Sequence, residues 1–454
     1  MQLVREIDAM RPTVTAAPLA TCHDLAPACP GVAAAIAPAP PFNAVHAARV
    51  EQITKQDRAC GGEALRGRHR TDLRRAAVLC TLSVMTVVAL VGAARVDATA
   101  GAIAHPSLWP GRLDSLEGFD RASRAVLIEY AAALDDAERM STAELQGALA
   151  AKSFDAGSVA HWLDNERRRV MLNYQRASNR CEHKDWTCPA EATSVAVLAA
   201  VGHSLPAAAP AKFRRWHEDL ATFAKNFALE QLRLAAVFPT ANNETDVFSD
   251  IEWTGESLPD RTFALTFDDG PTSAGGTTDQ TLALLQALNK SASFFLLGVH
   301  LETRIANDGA AAVAALYGHQ CVASHGWEHH SHATWDDWQG SVMRTKALLT
   351  TTFEPIAVLP LFRPPNGQRR PDSRAFFASQ SLHVALWNID AYDWNSSFDG
   401  DAVAGRVITL ILLRRHGVAL FHDIYGNALS ALPKVFASLG RVIDWPDCHL
   451  LARL

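Results

Sequence analysis

The 454-residue sequence lacks an excess of basic charge, because 42 Lys and Arg residues stand against 48 Asp and Glu residues, for a net charge of −6. That balance argues against a surface built to bind nucleic acid or another polyanion. The sequence also lacks an internal repeat and any sugar-binding module with a recognisable signature. Its composition, 48% hydrophobic and 20% charged, is that of a globular protein and excludes a fibrous or wholly disordered chain. A chain of this length has room for about two or three domains.

The N-terminal part of the chain has the pattern of a leader. Residues 1–75 are rich in Ala and Pro and have no sustained hydrophobic period, which predicts a disordered or over-extended start. A cluster of arginines then precedes the apolar run Ala76–Ala94, and small residues follow up to Ala100. This order predicts a cleaved secretory signal at residues 76–100, although an uncleaved membrane anchor also fits the length. We therefore expect an exported protein, periplasmic or extracellular, that meets a membrane only through an uncleaved leader.

Export changes how the cysteines are interpreted. Those outside the leader are even in number, as expected for disulfides in an oxidising compartment. Cys181 and Cys188 flank a short polar segment and could close a small loop. A metal knuckle that uses His183 is the alternative there, but the second half of such a site is missing. A bond between Cys321 and Cys448 is left open by the sequence.

Residues 101–250 are predicted to form an α-helical region. Ser141 and Glu144 have the spacing of a capping box, which marks the start of a helix. From Phe213 to Phe227, large apolar side chains recur at intervals of three and four, a pattern typical of an amphipathic helix. We interpret this stripe as a buried core face and not as a row of sugar-stacking aromatics. Because no constellation of catalytic residues occurs here, we expect the region to pack on its neighbour or on a partner.

Residues 251–454 alternate short β-rich runs with helical segments, which predicts an α/β barrel or a parallel sheet. The helical segments include Thr281–Leu288 and Val342–Thr350. The β-rich runs are Thr262–Phe267, Ser293–Leu297, His319–Ala323, Ala357–Phe362, His383–Asn388 and Val418–Phe421. In such folds ligands bind at the C-terminal ends of the strands, so polar residues at those ends are the candidates for chemistry.

The first of these polar clusters is a pair of adjacent carboxylates. Asp268 and Asp269 directly follow an apolar run, so one of them could bind a metal while the other accepts a proton. The Gly-Pro dipeptide after them turns the chain sharply. A plain turn without a catalytic role is therefore the alternative interpretation.

The second cluster is rich in histidine. His325 and His329 lie four residues apart and would share one face of a short helix, which suits a divalent metal. Nearby, His330 and His332 compete for the role of ligand. A solvent-exposed histidine-rich loop is the alternative interpretation of this segment.

Three further clusters follow later runs. Arg363 could hold a carboxylate in place, and the prolines after it could present backbone N–H groups to an oxyanion. The segment Asp390–Trp394 combines acidic residues with an aromatic wall that suits a sugar face. His422 ends an apolar run, and a structural histidine is the alternative to a catalytic one there.

Together, and in this order, the motifs TFDDGP, SHGWEH, FRPPNG, DAYDW and ALFHD resemble those of the polysaccharide deacetylase family (the NodB homology domain, carbohydrate esterase family 4). The resemblance covers roughly residues 260–430. It implies a distorted (β/α) barrel of the NodB type, here preceded by a separate α-helical region. It also implies metal-assisted removal of N-acetyl or O-acetyl groups from an acetylated polysaccharide. Zinc is the expected metal, with cobalt or nickel as alternatives.

The resemblance assigns roles residue by residue. The implied metal ligands are Asp269, His325 and His329. The implied catalytic groups are the general base Asp268, the base-orienting Arg363, the general acid His422 and the acid-tuning Asp393. The implied substrate-binding residues are Asn366, Trp394 and Leu420, of which the leucine would line the pocket for the acetyl methyl group.

Two departures from the family pattern stand out. Asn366 occupies a position that is usually aromatic, and Gly326 replaces the usual Ser or Thr between the two histidines. Neither change removes a catalytic group, so we expect an active enzyme. The alternative is a catalytically inactive carbohydrate-binding or assembly module on the same barrel. The sequence does not indicate which polymer would be the substrate.

Overall fold

The computed structural model of the chain describes residues 106–181, 185–239 and 247–453. The predicted leader (residues 1–75 and 76–100) and His183 lie outside the described residues. The described segments belong to one compact unit.

The N-terminal part of this unit is helical, as expected. Its helices are α1 (Leu116–Glu138), α2 (Thr142–Ala148), α3 (Ala156–Ser178), α4 (Val195–Ala208) and α5 (Arg214–Val237). Ser141 and Glu144 form the predicted capping box, in which each satisfies a backbone N–H of the other at the start of α2. The side chains of the α5 stripe are buried, which confirms a core face: Phe213, Trp216, Leu220, Phe223 and Phe227.

The rest of the unit alternates strands and helices. The strands are β1 (Glu252–Trp253), β2 (Phe263–Asp268), β3 (Ser293–Leu296), β4 (Cys321–Ser324), β5 (Val358–Phe362), β6 (His383–Ala385), β7 (Ile389–Asp390) and β8 (Gly417–His422). The helices are α6 (Thr277–Ala287), α7 (Gly298–Asp308), α8 (Ala310–Tyr317), α9 (Trp338–Thr352), α10 (Arg374–Ser379), α11 (Gly400–Arg414) and α12 (Asn427–Leu439). Short 3₁₀ segments add Ala211–Phe213, Pro365–Gly367 and Cys448–Arg453.

All eight strands form one parallel sheet in the order β1-β6-β5-β4-β3-β2-β8-β7. Strands β6 and β7 are far apart in this order, yet only residues 386–388 separate them in the chain. A link of that length reaches only about 10 Å, so the sheet must curl until its two ends meet. The result is the distorted α/β barrel that the alternation predicts, and β2 to β4 are buried on both faces by helices or by the barrel core.

The helical region and the barrel share one hydrophobic core. The contact centres on the C-terminal end of α11, where side chains of α1 and α3 bind its last carbonyl groups. Ser123 donates to the carbonyl of Leu412, and Asn173 donates to the carbonyls of Leu413 and Arg414. These bonds satisfy acceptors that a helix end leaves open. The barrel is therefore packed directly on the preceding helices.

Two disulfides join the cysteines that the sequence left for pairing. Cys181 bonds Cys188, as the spacing suggested, and Cys321 bonds Cys448 across a sequence separation of 127 residues. The second bond ties the start of β4 to the C-terminal 3₁₀ segment. Among the helices that the structure describes, none has both the length and the apolar content to cross a bilayer.

Candidate active site

The predicted site residues lie at one edge of the barrel, where the carboxyl ends of the parallel strands meet. Asp268 ends β2 and stands opposite His422, the last residue of β8, in the pairing register. His325 directly follows β4, Arg363 directly follows β5, and Asp393 follows β7. Residues that are far apart in the chain therefore reach the edge at which α/β folds bind ligands.

Asp269, His325 and His329 place three ligand atoms within 4.8 Å of one another. Oδ1 of Asp269 lies 3.3 Å from Nε2 of His325 and 3.7 Å from Nε2 of His329. The other ring nitrogen of His325, Nδ1, donates to the carbonyl oxygen of Arg363 at 2.8 Å. This bond puts the ring proton on Nδ1 and leaves the lone pair of Nε2 available to a metal.

The electrostatics of these three side chains fit a divalent cation. Oδ1 of Asp269 is buried and accepts no hydrogen bond from the part of the chain that the structure describes. Burial opposes ionisation of Asp269, but the adjacent His325 outweighs it and holds the pKa of the carboxyl well below its usual value. Burial, reinforced by His325, lowers the pKa of His329 and favours the neutral ring. An ionised carboxylate and neutral imidazoles are the forms that bind metals.

Two other groups in the described residues have a spacing that could suit a metal. Cys321 and Cys448 lie near His449, but the disulfide between them leaves no thiolate to bind a metal. Asp135, Asp136 and His203 form the other group on the surface of the helical region, where acidic clusters are common without an ion. The group at the strand ends adjoins the buried ionisable side chains of Asp268 and Arg363.

The segment from His325 to His329 is a bend and not the short helix that the spacing of the histidines would have suited. Gly326 has a φ of 85°, and a Cβ at this position would lie 2.7 Å from the ring of His332. Both the backbone conformation and the close approach of the ring require glycine. The departure from the family's Ser or Thr is therefore explained by the packing of His332.

The two competing histidines do not join the metal group. His332 is buried, with Nδ1 against the carbonyl of His330 at 2.9 Å and Nε2 against Oγ of Ser341 at 3.1 Å. Burial lowers the pKa of His332 to about 4, so the ring stays neutral in its structural role. His330 is exposed and contacts Glu328 at 3.0 Å.

Asp268 is held by the fully buried guanidinium of Arg363. One nitrogen of Arg363 donates to Oδ1 of Asp268 and to Oγ1 of Thr266, both at 2.8 Å. The guanidinium also lies 4.0 Å from the ring centroid of Phe295 and donates to the carbonyl of Ala385 at 3.3 Å. The other oxygen, Oδ2 of Asp268, lies 3.8 Å from Nε2 of His325. One face of the Asp268 carboxylate is thus fixed while the other faces the candidate metal ligands.

His422 and Asp393 form a buried pair. Nδ1 of His422 donates to Oδ1 of Asp393 at 2.8 Å, and the backbone N–H of His422 donates to Oδ2 of Asp393 at the same distance. Burial alone would lower the pKa of His422, but the Asp393 carboxylate outweighs it and raises the pKa to about 10. The ring is therefore a cation at neutral pH, and its Nε2 carries a proton.

The three predicted substrate-binding residues occupy different environments. Trp394 is 44% exposed, and its ring lies 4.9 Å from that of Tyr392. Asn366 is exposed on the 3₁₀ turn after β5, with a φ of 55°. Leu420 is buried inside β8, two residues before His422. The first two can meet a polymer at the surface, whereas the leucine can meet only a small group that enters the barrel.

Some residues at this edge were missed by the sequence analysis. Thr266 accepts a hydrogen bond from Arg363, and Nδ1 of His300 donates to the carbonyl of Asp269 at 2.7 Å. Tyr425 is 38% exposed and packs its ring edge-on against His422, with centroids 5.8 Å apart. Thr266 has a signal in its position two residues before Asp268 on the same face of β2. His300 and Tyr425 have none, because only the fold brings them to the site.

Comparisons with known proteins find similarity within the barrel. A family model described as polysaccharide deacetylase matches residues 255–385, which include both aspartates, both histidines and Arg363 but end before His422. The chain is 30% identical over 172 residues to a chitin deacetylase from a Pestalotiopsis species, covering 38% of this chain and 56% of that protein. It is 28% identical over 181 residues to a peptidoglycan-N-acetylglucosamine deacetylase from Listeria monocytogenes, covering 39% of this chain and 35% of that protein.

The chain thus spans between about a third and just over half of the length of these curated relatives. Among solved structures, a CE4 family pseudoenzyme from Bacillus anthracis is similar with a TM-score of 0.37 at 20% identity, over 44% of this chain and 68% of that one. The family match lies within the barrel, where it includes the strand ends that carry the site. The part of the chain that resembles the polysaccharide deacetylase family is therefore the barrel.

Proposed function

We propose that the protein is a metal-dependent hydrolase that removes acetyl groups from an exported or cell-envelope polysaccharide. The observation that carries the proposal is the convergence of Asp269, His325 and His329 beside Asp268 and His422 at one barrel edge. The buried and unbonded Oδ1 of Asp269 supports a ligand there, because a buried carboxylate oxygen without a partner is costly.

Asp269, His325 and His329 would hold the cation, which we propose to be zinc, with cobalt or nickel as alternatives. Two neutral imidazoles and one carboxylate, with coordination positions left for water and substrate, are typical of catalytic zinc. Such an ion supplies Lewis acidity, which polarises an acetyl carbonyl and lowers the pKa of water.

Asp268 is the proposed general base. Arg363 holds Oδ1 of this carboxylate, so Oδ2 is the oxygen left to accept a proton from the attacking water. A base fixed in this way is worth roughly 100- to 10,000-fold in rate. Thr266 shares the same guanidinium nitrogen, which keeps Arg363 oriented toward the base.

His422 is the proposed general acid. Expulsion of an amine anion is unfavourable, so the nitrogen of an N-acetyl group must receive a proton as the C–N bond breaks. Asp393 keeps the His422 ring protonated at neutral pH, and its grip on Nδ1 leaves Nε2–H as the group that can donate. We therefore assign opposite tasks to the two side chains, with Asp268 accepting a proton and His422 donating one.

The substrate is proposed to be a polymer of acetylated amino sugars. The relatives named above are a chitin deacetylase and a peptidoglycan-N-acetylglucosamine deacetylase, which supports N-acetylglucosamine as the unit. Exposed Trp394 and Tyr425 offer aromatic faces beside the site on which sugar rings can stack, with Asn366 as a polar contact. Leu420 would contact the acetyl methyl group. An O-acetylated polymer such as acetylated xylan is the alternative substrate.

Export is proposed on chemical grounds as well. Two disulfides link the cysteines that the structure describes, and such bonds persist in oxidising compartments. The predicted signal at residues 76–100 supports the same location, periplasmic or extracellular, with a membrane anchor as the alternative to cleavage.

The test is acetate release from chitin oligomers, peptidoglycan, poly-N-acetylglucosamine and acetylated xylan, with and without a chelator. We expect release from at least one N-acetylated polymer, its loss in chelator and its return when zinc is added. Cobalt and nickel are added in parallel to rank the metals. Binding of an oligosaccharide without acetate release in the metal-loaded protein would instead favour the inactive binding module.

A further inference from the structure

Helix α5 of the helical region reaches the loop that carries Asp393 through one buried arginine. Arg406 of α11 is 1% exposed, and its guanidinium donates to both carboxylate oxygens of Glu230 on α5, at 2.9 and 3.4 Å. Glu230 itself is only 13% exposed. A buried guanidinium paired in this way has a fixed orientation, because moving it would separate charges in a medium of low dielectric constant.

The same guanidinium holds the acid loop, which we define as residues Asp390–Trp394. Nε of Arg406 donates to the carbonyl of Asp390 at 2.9 Å, and its guanidinium carbon lies 3.9 Å from the ring centroid of Tyr392. Tyr392 has a φ of 57°, a left-handed conformation that persists only where neighbours enforce it. Arg406 therefore contacts the loop just before this strained position and at its side chain.

The next residue in the acid loop is Asp393, whose two carboxylate oxygens both bind His422. A contiguous set of contacts therefore runs from the helical region to the proposed general acid. Misplacing a catalytic group by about 1 Å can cost on the order of 100-fold in rate. Proton donation by His422 therefore depends on the orientation of the acid loop.

We propose that Glu230 is a positioning residue for amide cleavage, acting through Arg406 to fix the acid loop and hence the His422–Asp393 pair. The proposal rests on the proposed function and deepens it, since it gives the helical region a task in the same reaction. Glu230 lies outside the residues that the family model matches.

Two substrates separate acid positioning from general damage. An N-acetylated chitin oligomer needs a proton on its leaving nitrogen, whereas 4-nitrophenyl acetate releases a phenolate that leaves without one. Loss of the acid therefore slows the amide and spares the aryl ester. Loss of the metal group, of the base or of the fold slows both.

The experiment measures kcat and KM for both substrates with the full chain, metal-loaded, in Glu230→Gln and Arg406→Lys. We expect kcat for the oligomer to fall about 10-fold in Glu230→Gln, with KM and the aryl ester rate within about twofold. Arg406→Lys keeps the buried charge but cannot reach all of the guanidinium's partners, so the same selective loss is expected. If Glu230→Gln does not yield folded protein, Arg406→Lys tests the proposal in its place.

The matched control is Asp120→Asn. Asp120 of the helical region forms another buried ion pair with the barrel, at 2.8 Å from Arg415, and the substitution breaks it. It should leave the ratio of the two rates unchanged. Equal losses on both substrates in Glu230→Gln and Arg406→Lys, or no loss in folded variants, would overturn the proposal. Absence of acetate release by the unaltered protein would instead refute the proposed function, so the two failures are distinguishable.

Discussion

Buried carboxylates in the helical region and at the barrel edge are both ionised, but they differ in what surrounds them. Glu166 on α3 is fully buried and paired with Arg414 and Arg169. Burial opposes its ionisation, yet Arg414 outweighs burial and lowers the pKa of Glu166. Asp269 is likewise held ionised, but its Oδ1 accepts no hydrogen bond from the described residues.

The difference distinguishes a buried charge that stabilises the fold from a buried charge that is available to bind a ligand. Both carboxyl groups have lowered pKa values, so ionisation alone does not distinguish them. Glu166 is paired with two arginines and stabilises the interface. Asp269 instead faces the imidazoles of His325 and His329, and its Oδ1 can still bind a metal. A buried carboxylate oxygen that accepts no hydrogen bond, at an edge that a ligand can reach, is therefore the better indication of a functional site.

The strongest way to break this comparison is to remove each carboxylate in turn. We expect Asp269→Ala to lose bound metal and at least about 1000-fold in acetate release, with thermal stability kept or raised, because an unsatisfied buried charge is gone. Glu166→Gln should do the reverse, costing about 3 to 5 kcal/mol in stability while folded protein keeps its kcat. Metal analysis, acetate assays and thermal unfolding read out both variants. Loss of kcat in folded Glu166→Gln would contradict the distinction.

A second test separates the base from the ligand beside it. Asp268→Asn should lower kcat by roughly 100- to 10,000-fold while bound metal stays at the level of the unaltered protein. Thr266→Val is the matched control, because it removes the other acceptor of the same Arg363 nitrogen without removing a charge. The control should lose far less activity. If Asp268→Asn also loses its metal, Asp268 acts as a ligand and not as the base.

The two disulfides extend the comparison of the two regions to stability. Cys181–Cys188 closes a short loop in the helical region, whereas Cys321–Cys448 spans a sequence separation of 127 residues in the barrel. If the bonds act by lowering the chain entropy of the unfolded state, replacing both cysteines by Ser should cost about 2.5 kcal/mol of unfolding free energy for Cys181–Cys188. The same replacement should cost about 5 kcal/mol for Cys321–Cys448. Denaturant unfolding of the two variants measures the difference. An equal loss would show that loop length does not set the contribution of these bonds.

Much of the barrel could be predicted from the sequence because its signals are local. Strands β2, β4, β5 and β8 are mostly apolar runs, and the predicted site residues lie at their ends or directly after them. Strands β1 and β7 were missed because two residues are too short to show a pattern. The predicted run His383–Asn388 was too long, since the chain leaves β6 at Ala385 to close the barrel.

The rest depended on contacts between distant segments. A bend at Gly326, not a helix, brings His325 and His329 together, and the glycine is required by a ring six residues away. The arginine–glutamate pair of Arg406 and Glu230 joins residues 176 positions apart, and nothing near either residue marks it. The spacing of a motif can be recognised in sequence, but the neighbours that fix its geometry come from the fold.

The His422–Asp393 pair sharpens the comparison, since it is a buried charge at the barrel edge that is satisfied by a protein partner. Because the folded pKa of His422 is raised to about 10, amide cleavage should keep its acid through neutral pH and lose it only as pH rises toward that value. A bound cation would oppose the rise in pKa, so the contrast with a variant is the measurement. In Asp393→Asn the main raising cause is gone, and the effect of Asp268 and Asp269 on His422 is offset by a bound cation. Burial then lowers the pKa of His422 to or below the ordinary value of about 6.5. At pH 7 less than about a quarter of His422 would then be protonated, so kcat on the amide should fall at least about fourfold and recover on acidification. The same alkaline limit in both proteins would show that another group donates the proton.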